Sequence, residues 1–224
     1  MSAAAILQKE LKELTKSQPS FRIELDSDNI FLWDIGMYIP NPDSKYNGAY
    51  LKCQMRFPNN YPFSPPAFRF TPPVFHPNVY KDGRVCISIL HEAGDAFSGE
   101  PSNETWSPAQ CVESVLVSII SLLDDPNINS PANVDASKMF RDHKDDYYDI
   151  VAKDVERSKE AIPDDFEIPD ANARAQADDY EDEWFYQDEE DEDDEDDEID
   201  EDDQSFIDDE EVEMSEDYGE DTSK

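Results

Sequence analysis

Apolar residues recur with two different periods up to about residue 160, and then give way to acids. Over 3–16 the period is helical: Ile6, Leu7, Leu11 and Leu14 form one face, while Lys9, Lys12 and Lys16 line another. Short alternating runs follow. FRIEL (Phe21–Leu25), then Trp33, Ile35, Met37 and Ile39, then Leu51, Cys53, Met55 and Phe57, and last FRF at 68–70 read as four strands. Polar breaks at 26–29 and 41–48 suit hairpin connections, so the strands form an antiparallel meander. Cys53 shares a strand face with Leu51, Met55 and Phe57, which marks it as a core residue.

From 58 to 77 the chain is dense in proline, FPNNYPFSPP followed by TPPVFHPN. Proline fixes φ and biases the residue before it towards extended geometry, so this irregular stretch should be stiff. It leads to Cys86. A polar, acidic loop follows over 91–105, with Glu92, Asp95, Glu100 and Glu104. The pattern then predicts a helix opened by Ser107 as N-cap, Pro108 in the first turn and Gln110 completing a capping box. Val112, Val115, Leu116, Ile119 and Leu123 give it one apolar face, to pack on the sheet. Cys111 falls in its first turn and reads as structural. Two more helices are expected near 133–141 and 144–160, the second stopped by Pro163. A helix, a meander and then helices make an α+β domain.

Charge divides the chain. Residues 162–224 carry 33 Asp/Glu and 2 Lys/Arg, whereas 1–161 carry 23 and 16. Blocks such as DEEDEDDEDDEIDEDD at 188–203 repel themselves and cannot bury enough apolar surface to offset chain entropy. The expected organisation is a domain over 1–161, with the acidic insertion at 91–105, and a disordered acidic tail over 162–224. A net charge of −38 disfavours direct nucleic-acid binding. No apolar run approaches membrane-spanning length, and MSAAAILQKE lacks a secretory pattern. Three cysteines without a CxxC pair and three histidines without HxxxH spacing indicate neither a disulfide framework nor a metal site. The expected compartment is the reducing cytosol or nucleus.

Cys86 poses the chemical question. A nucleophilic cysteine normally works with a histidine base. Here His76 is followed by proline within a rigid motif, which favours a structural histidine. A papain-like hydrolase would need His91 or His143, and neither has a recognisable setting. An acidic scaffold or histone chaperone would explain the tail but leave Cys86 unused.

HPN-x7-C followed by ISIL, with YPFSPP upstream and WSPA downstream, closely resembles the ubiquitin-conjugating enzymes over about 4–160. The acidic insertion after the cysteine, Ser64 and Ser88 at positions often charged in the family, NINSPANVDAS at 127–137 and the acidic tail narrow the resemblance. They point to the cell-division-cycle-34 class, which serves cullin-RING ligases of the Skp–cullin–F-box type. The resemblance implies the family's α+β fold and a thioester of ubiquitin on Cys86, received from the activating enzyme and passed to lysine on substrates or on ubiquitin in chain building. A thioester is already activated, so the cysteine needs no resident base during discharge. The oxyanion still needs a donor, and the Asn78 amide suits that role; one such donor can be worth ~3–4 kcal/mol. Asn78 can also brace its own loop.

By the same resemblance Tyr80, Ser88, Ser130, Glu92, Asp95, Glu100 and Glu104 position the acceptor lysine. Ser130 matches a gate position carrying Asp or Ser, and serine is the poorer proton acceptor. Carboxylates near Cys86 would discourage its thiolate and keep a lysine charged, so the loop's benefit must be attraction and positioning. Phe63, Ser107, Pro108 and Ala109 match the surface for RING-type ligases; a core role for Phe63 is the alternative. Lys9 and Lys12 match the activating-enzyme docking face, or form a solvated one. The tail is expected to steer the protein to a basic cullin surface, or only to solubilise it. No metal or cofactor is expected. With no phosphate-binding loop among six glycines, ATP is expected to be consumed by the activating enzyme.

Overall fold

The computed structural model describes residues 2–92 and 104–169. Its elements follow the predicted order. Helix α1 (Ala3–Ser17) is capped by Ser2, whose side chain accepts from the Ala5 amide. Strands β1 (Phe21–Leu25), β2 (Leu32–Tyr38), β3 (Tyr50–Arg56) and β4 (Ala67–Phe70) form one antiparallel sheet in the order β1-β2-β3-β4. Helices α2 (Val112–Asp124), α3 (Val134–Asp142) and α4 (Lys144–Lys159) follow. The fold is the expected α+β ubiquitin-conjugating type. No described helix is long and apolar enough to cross a membrane.

Alternation decides which way the sheet faces. Trp33, Ile35, Met37, Leu51, Cys53, Met55, Phe68 and Phe70 point inward and are all buried. They share one core with Val112, Val115, Leu116, Ile119 and Leu123 of α2. Each such aliphatic contributes about 1.5–3 kcal/mol when fully buried, so this face dominates any cap in holding α2.

One correction concerns the start of α2. The sequence predicts it from Ser107, but the helix begins at Val112, with Cys111 as N-cap. Residues 107–110 close a turn of their own, the Gln110 amide donating to the Ser107 carbonyl at 3.0 Å. Ser114 Oγ accepts from the Cys111 amide at 3.1 Å, and the Val112 amide is met by the Glu10 carboxylate of α1 at 2.8 Å. That last cap comes from another helix, where no local window of sequence would find it.

Two outward positions break the alternation: Gly36 and Tyr50 are buried. The Tyr50 ring lies over Gly36 so closely that a Cβ there would collide with it. On the same face the Phe166 ring centroid is 5.3 Å from that of Tyr50 and 6.0 Å from that of Tyr38. Asp165 pairs with Arg22 at 2.6 Å. Asp165 and Phe166 thus rest against the sheet, within the stretch that the sequence assigns to the tail. Residues 170–224, nearly all of the expected tail, lie outside the described residues.

Candidate active site

The stretch between β4 and α2 carries Cys86 on backbone that is irregular but closely tied. Gly83 turns the chain with φ of +89°, and a Cβ there would strike the Phe70 carbonyl. The Phe70 amide donates to the Gly83 carbonyl at 2.9 Å, pinning this turn to β4. Tyr80 and Arg84 bond across it (2.8 Å), and the Cys86 amide donates to the Asn78 carbonyl (2.8 Å). The Cys86 backbone is thus held opposite that of Asn78.

His76 is fully buried. Its Nδ1 accepts from the Asn78 amide at 3.0 Å, which places the proton on Nε2, facing the Leu122 and Leu123 carbonyls without a well-formed hydrogen bond. Burial lowers its pKa to about 4, so the ring is neutral near pH 7. With its one lone pair engaged, His76 has nothing left with which to take a proton. It is a bracing residue.

Asn78 is 1% exposed. Its side chain pairs with the backbone of Asn127 as one peptide pairs with another: Nδ2 donates to the Asn127 carbonyl (2.8 Å) and Oδ1 accepts from the Asn127 amide (2.9 Å). A longer contact of 3.5 Å runs from Nδ2 to the Ser130 carbonyl. The Asn133 amide donates to the Pro77 carbonyl at 2.8 Å. The loop after α2 is thereby fastened to the segment that carries the thiol.

Of the three cysteines, Cys53 is buried in β3 with its thiol on the Ile35 carbonyl, and burial pushes its pKa well up. Cys86 and Cys111 are half-buried, but Cys111 sits at the α2 N-cap. Tyr80, 40% exposed, brings its hydroxyl to the Cys86 sulfur; the charge of a thiolate there, then partial burial, raises the phenol's pKa. The Arg84 guanidinium stacks 5.2 Å from the Tyr80 ring and pairs with Asp82 at 2.8 Å.

The other predicted positions distribute as follows. Ser88 opens a short 3-10 turn (Ser88–Leu90), and its carbonyl accepts from the His91 amide. The Trp106 amide donates to the His91 carbonyl at 2.9 Å, closing the base of the acidic loop. Glu92 and Glu104 are exposed at that base; Asp95 and Glu100 lie outside the described residues. Ser130 is exposed on the loop held by Asn78. Phe63 is 76% exposed, which rules out the core alternative. The Trp106 indole donates to the Pro62 carbonyl at 2.7 Å, so the loop bearing Phe63 and the turn bearing half-buried Ser107 and exposed Pro108 and Ala109 are tied together. Lys9 and Lys12 are exposed on α1, Lys9 paired with Glu13 at 3.6 Å. No cluster of His, Cys, Asp and Glu suited to a metal occurs among the described residues.

Sequence reasoning missed Glu10. The one available signal was a carboxylate inside the apolar stripe of α1, three residues after Leu7 and four before Leu14.

Residues 6–155 match the family model described as "Ubiquitin-conjugating enzyme". The chain is 57% identical over 172 residues to the yeast (Saccharomyces cerevisiae) protein "Ubiquitin-conjugating enzyme E2-34 kDa", covering 75% of this chain and 58% of that protein's length. It is 49% identical over 161 residues to "Ubiquitin-conjugating enzyme E2 7" of Arabidopsis thaliana, covering 70% of this chain and 96% of the relative. With human "Ubiquitin-conjugating enzyme E2 G2" it shares 44% over 155 residues, 68% of this chain and 93% of the relative. A family match over most of the chain, together with a fold that presents one cysteine on a braced segment, shows that the chain belongs to the ubiquitin-conjugating enzyme family.

Proposed function

We propose that the chain takes ubiquitin's C-terminal acyl group from the activating enzyme onto Cys86 Sγ and passes it to a lysine amine. In loading, the Cys86 thiolate attacks the carbonyl carbon of the incoming thioester. A new C–S bond forms, the old one breaks, and the activating enzyme's cysteine leaves as a thiolate. In discharge, a neutral lysine amine attacks the same carbon, charge gathers on the carbonyl oxygen, Cys86 departs as a thiolate and the amine proton passes to solvent. The observation that carries this reading is that Cys86 alone lies off the core and off a helix cap, on a segment fixed by other residues.

Asn78 first braces this segment. Exchange of its long contact to the Ser130 carbonyl for the developing oxyanion would add stabilisation of up to ~3–4 kcal/mol while the Asn127 pairing stays in place. Tyr80, Ser88, Ser130 and the acidic loop receive the acceptor lysine. Phe63 with Ser107, Pro108 and Ala109 offers an exposed aromatic beside a proline turn, a small anchor of the hot-spot kind for a RING subunit. Lys9 and Lys12 face the activating enzyme, which binds the ATP.

The resemblance to the cell-division-cycle-34 class supports a cullin-RING ligase as partner, polyubiquitin chains as product, and the nucleus and cytoplasm as location. The tail would steer the protein to a basic cullin surface, accelerating association roughly 10–10³-fold at low salt. Ending the chain after Pro169 keeps the contacts of Asp165 and Phe166 with the sheet and should slow that association without impairing loading.

Incubation with activating enzyme, ATP and ubiquitin should give a thiol-sensitive adduct that maps to Cys86 and vanishes in Cys86→Ala. Absence of the adduct with folded protein would return the chain to a non-catalytic scaffold.

A further inference from the structure

Glu10 joins three pieces of the molecule that the sequence keeps far apart. Its Oε2 accepts from the amide of Val112, the first residue of α2, at 2.8 Å. Both carboxylate oxygens accept from the Tyr61 hydroxyl, at 2.8 and 3.0 Å. A carboxylate at a helix N-terminus meets an amide otherwise without an intrahelical partner and the positive end of the helix dipole. Tyr61 is 2% exposed, and burial, with the Glu10 charge beside it, holds its phenol protonated as a donor. The Tyr61 and Trp106 rings lie 5.9 Å apart, and the Trp106 indole holds the Pro62 carbonyl. Phe63 and the 107–109 turn are the next residues along these two stretches, so the chain of contacts runs from Glu10 directly to the exposed surface.

We propose that Glu10 is a positioning residue for the ligase-binding surface. Its carboxylate keeps the Phe63 loop and the 107–109 turn in register by fixing Tyr61 and the first turn of α2 to one side chain of α1. This inference rests on the assignment of Phe63 and its neighbours to the ligase. Glu10 itself touches neither ubiquitin nor the thioester. Since Lys9 and Lys12 flank it, the helix that faces the activating enzyme is also the one from which the ligase surface is hung.

The full chain carrying Glu10→Gln keeps the side-chain volume but leaves one carbonyl oxygen to serve two donors, with its amide turned on one of them. Tyr61→Phe removes one donor alone. Ubiquitin discharge should be measured against concentration of a cullin-RING complex for wild type, each variant and the pair. The ligase concentration for half-maximal stimulation should rise on the order of tenfold in Glu10→Gln, with the rate at saturating ligase close to wild type. The pair should be no worse than Glu10→Gln alone, because both changes break one unit. Gln18→Ala cuts a different α1–α2 tie, the bond from Gln18 to Glu113, and serves as the purely structural control. It should lower the melting temperature without moving the half-maximal concentration. Unchanged half-maximal concentrations in Glu10→Gln and Tyr61→Phe would overturn the proposal, provided Phe63→Ala abolishes stimulation. A Phe63→Ala that is stimulated like wild type would instead remove the ligase surface itself, and the proposal with it.

Discussion

Cys53 and Cys86 are one residue type in two regions built by different means. In β3, Cys53 faces Ile35 and Phe70 across two ladders, and its main chain is satisfied by neighbouring strands. Its side chain follows the alternation inward and ends 2% exposed. Around Cys86 no regular ladder exists, only isolated bridges such as Val79 with Val85. The backbone there is satisfied by irregular main-chain bonds, such as that from the Cys86 amide to the Asn78 carbonyl, and by buried side chains: His76 takes the Asn78 amide, and the Asn78 side chain takes both backbone groups of Asn127. A sheet buys rigidity by covering its residues. A segment braced from beneath by Asn78 and His76 stays rigid while leaving Cys86 only half-buried.

If bracing fixes the second region, removing it should have the largest effect. Asn78→Ala removes two hydrogen bonds to the Asn127 backbone, each contributing about 0.5–1.5 kcal/mol net. Thermal or urea melts should show a loss of roughly 1–3 kcal/mol on that basis. Single-turnover discharge to lysine should slow as well, with thioester formation retained. Discharge at the wild-type rate in a folded variant would leave Asn78 a brace and nothing more.

The second prediction uses pH. The folded pKa of His76 is about 4, below the unfolded value near 6.5, so the unfolded chain binds the proton first. This group's contribution to stability is therefore complete above pH 6.5 and is lost as pH falls towards 4, by about 1.4 kcal/mol per unit. Denaturant melts across that window should show the slope, and NMR should show no His76 titration above about pH 5. An imidazole titrating near 6.5 in the folded protein would mean the brace is open to water.

The third prediction addresses the sheet region and is smaller. Cys53→Ala removes a small buried group and should cost about 1–2 kcal/mol, with the ubiquitin adduct formed at the wild-type rate. Slowed loading would break the contrast between the two cysteines.

The meander, the apolar face of α2 and the core position of Cys53 could be read from period alone, because burial of one face imposes alternation or a helical stripe. Three features could not. The start of α2 depends on Glu10, a residue distant in sequence. The burial of Gly36 and Tyr50 depends on Phe166, in a stretch whose composition argues for a tail. The brace formed by Asn78 and Asn127 joins two loops, and nothing in either loop announces the other. At the site, motif resemblance singled out Cys86 and Asn78, but only the structure shows how much of the Asn78 amide is spent on holding the loop.

The contrast between the two regions is tested most directly by alkylating the native full-length chain under non-denaturing conditions and following each cysteine by peptide mass. Cys86 should be labelled well before Cys53. Cys53 should react only through opening of the sheet, slower by on the order of 10³-fold or more. Labelling of Cys53 as fast as Cys86 would contradict the account.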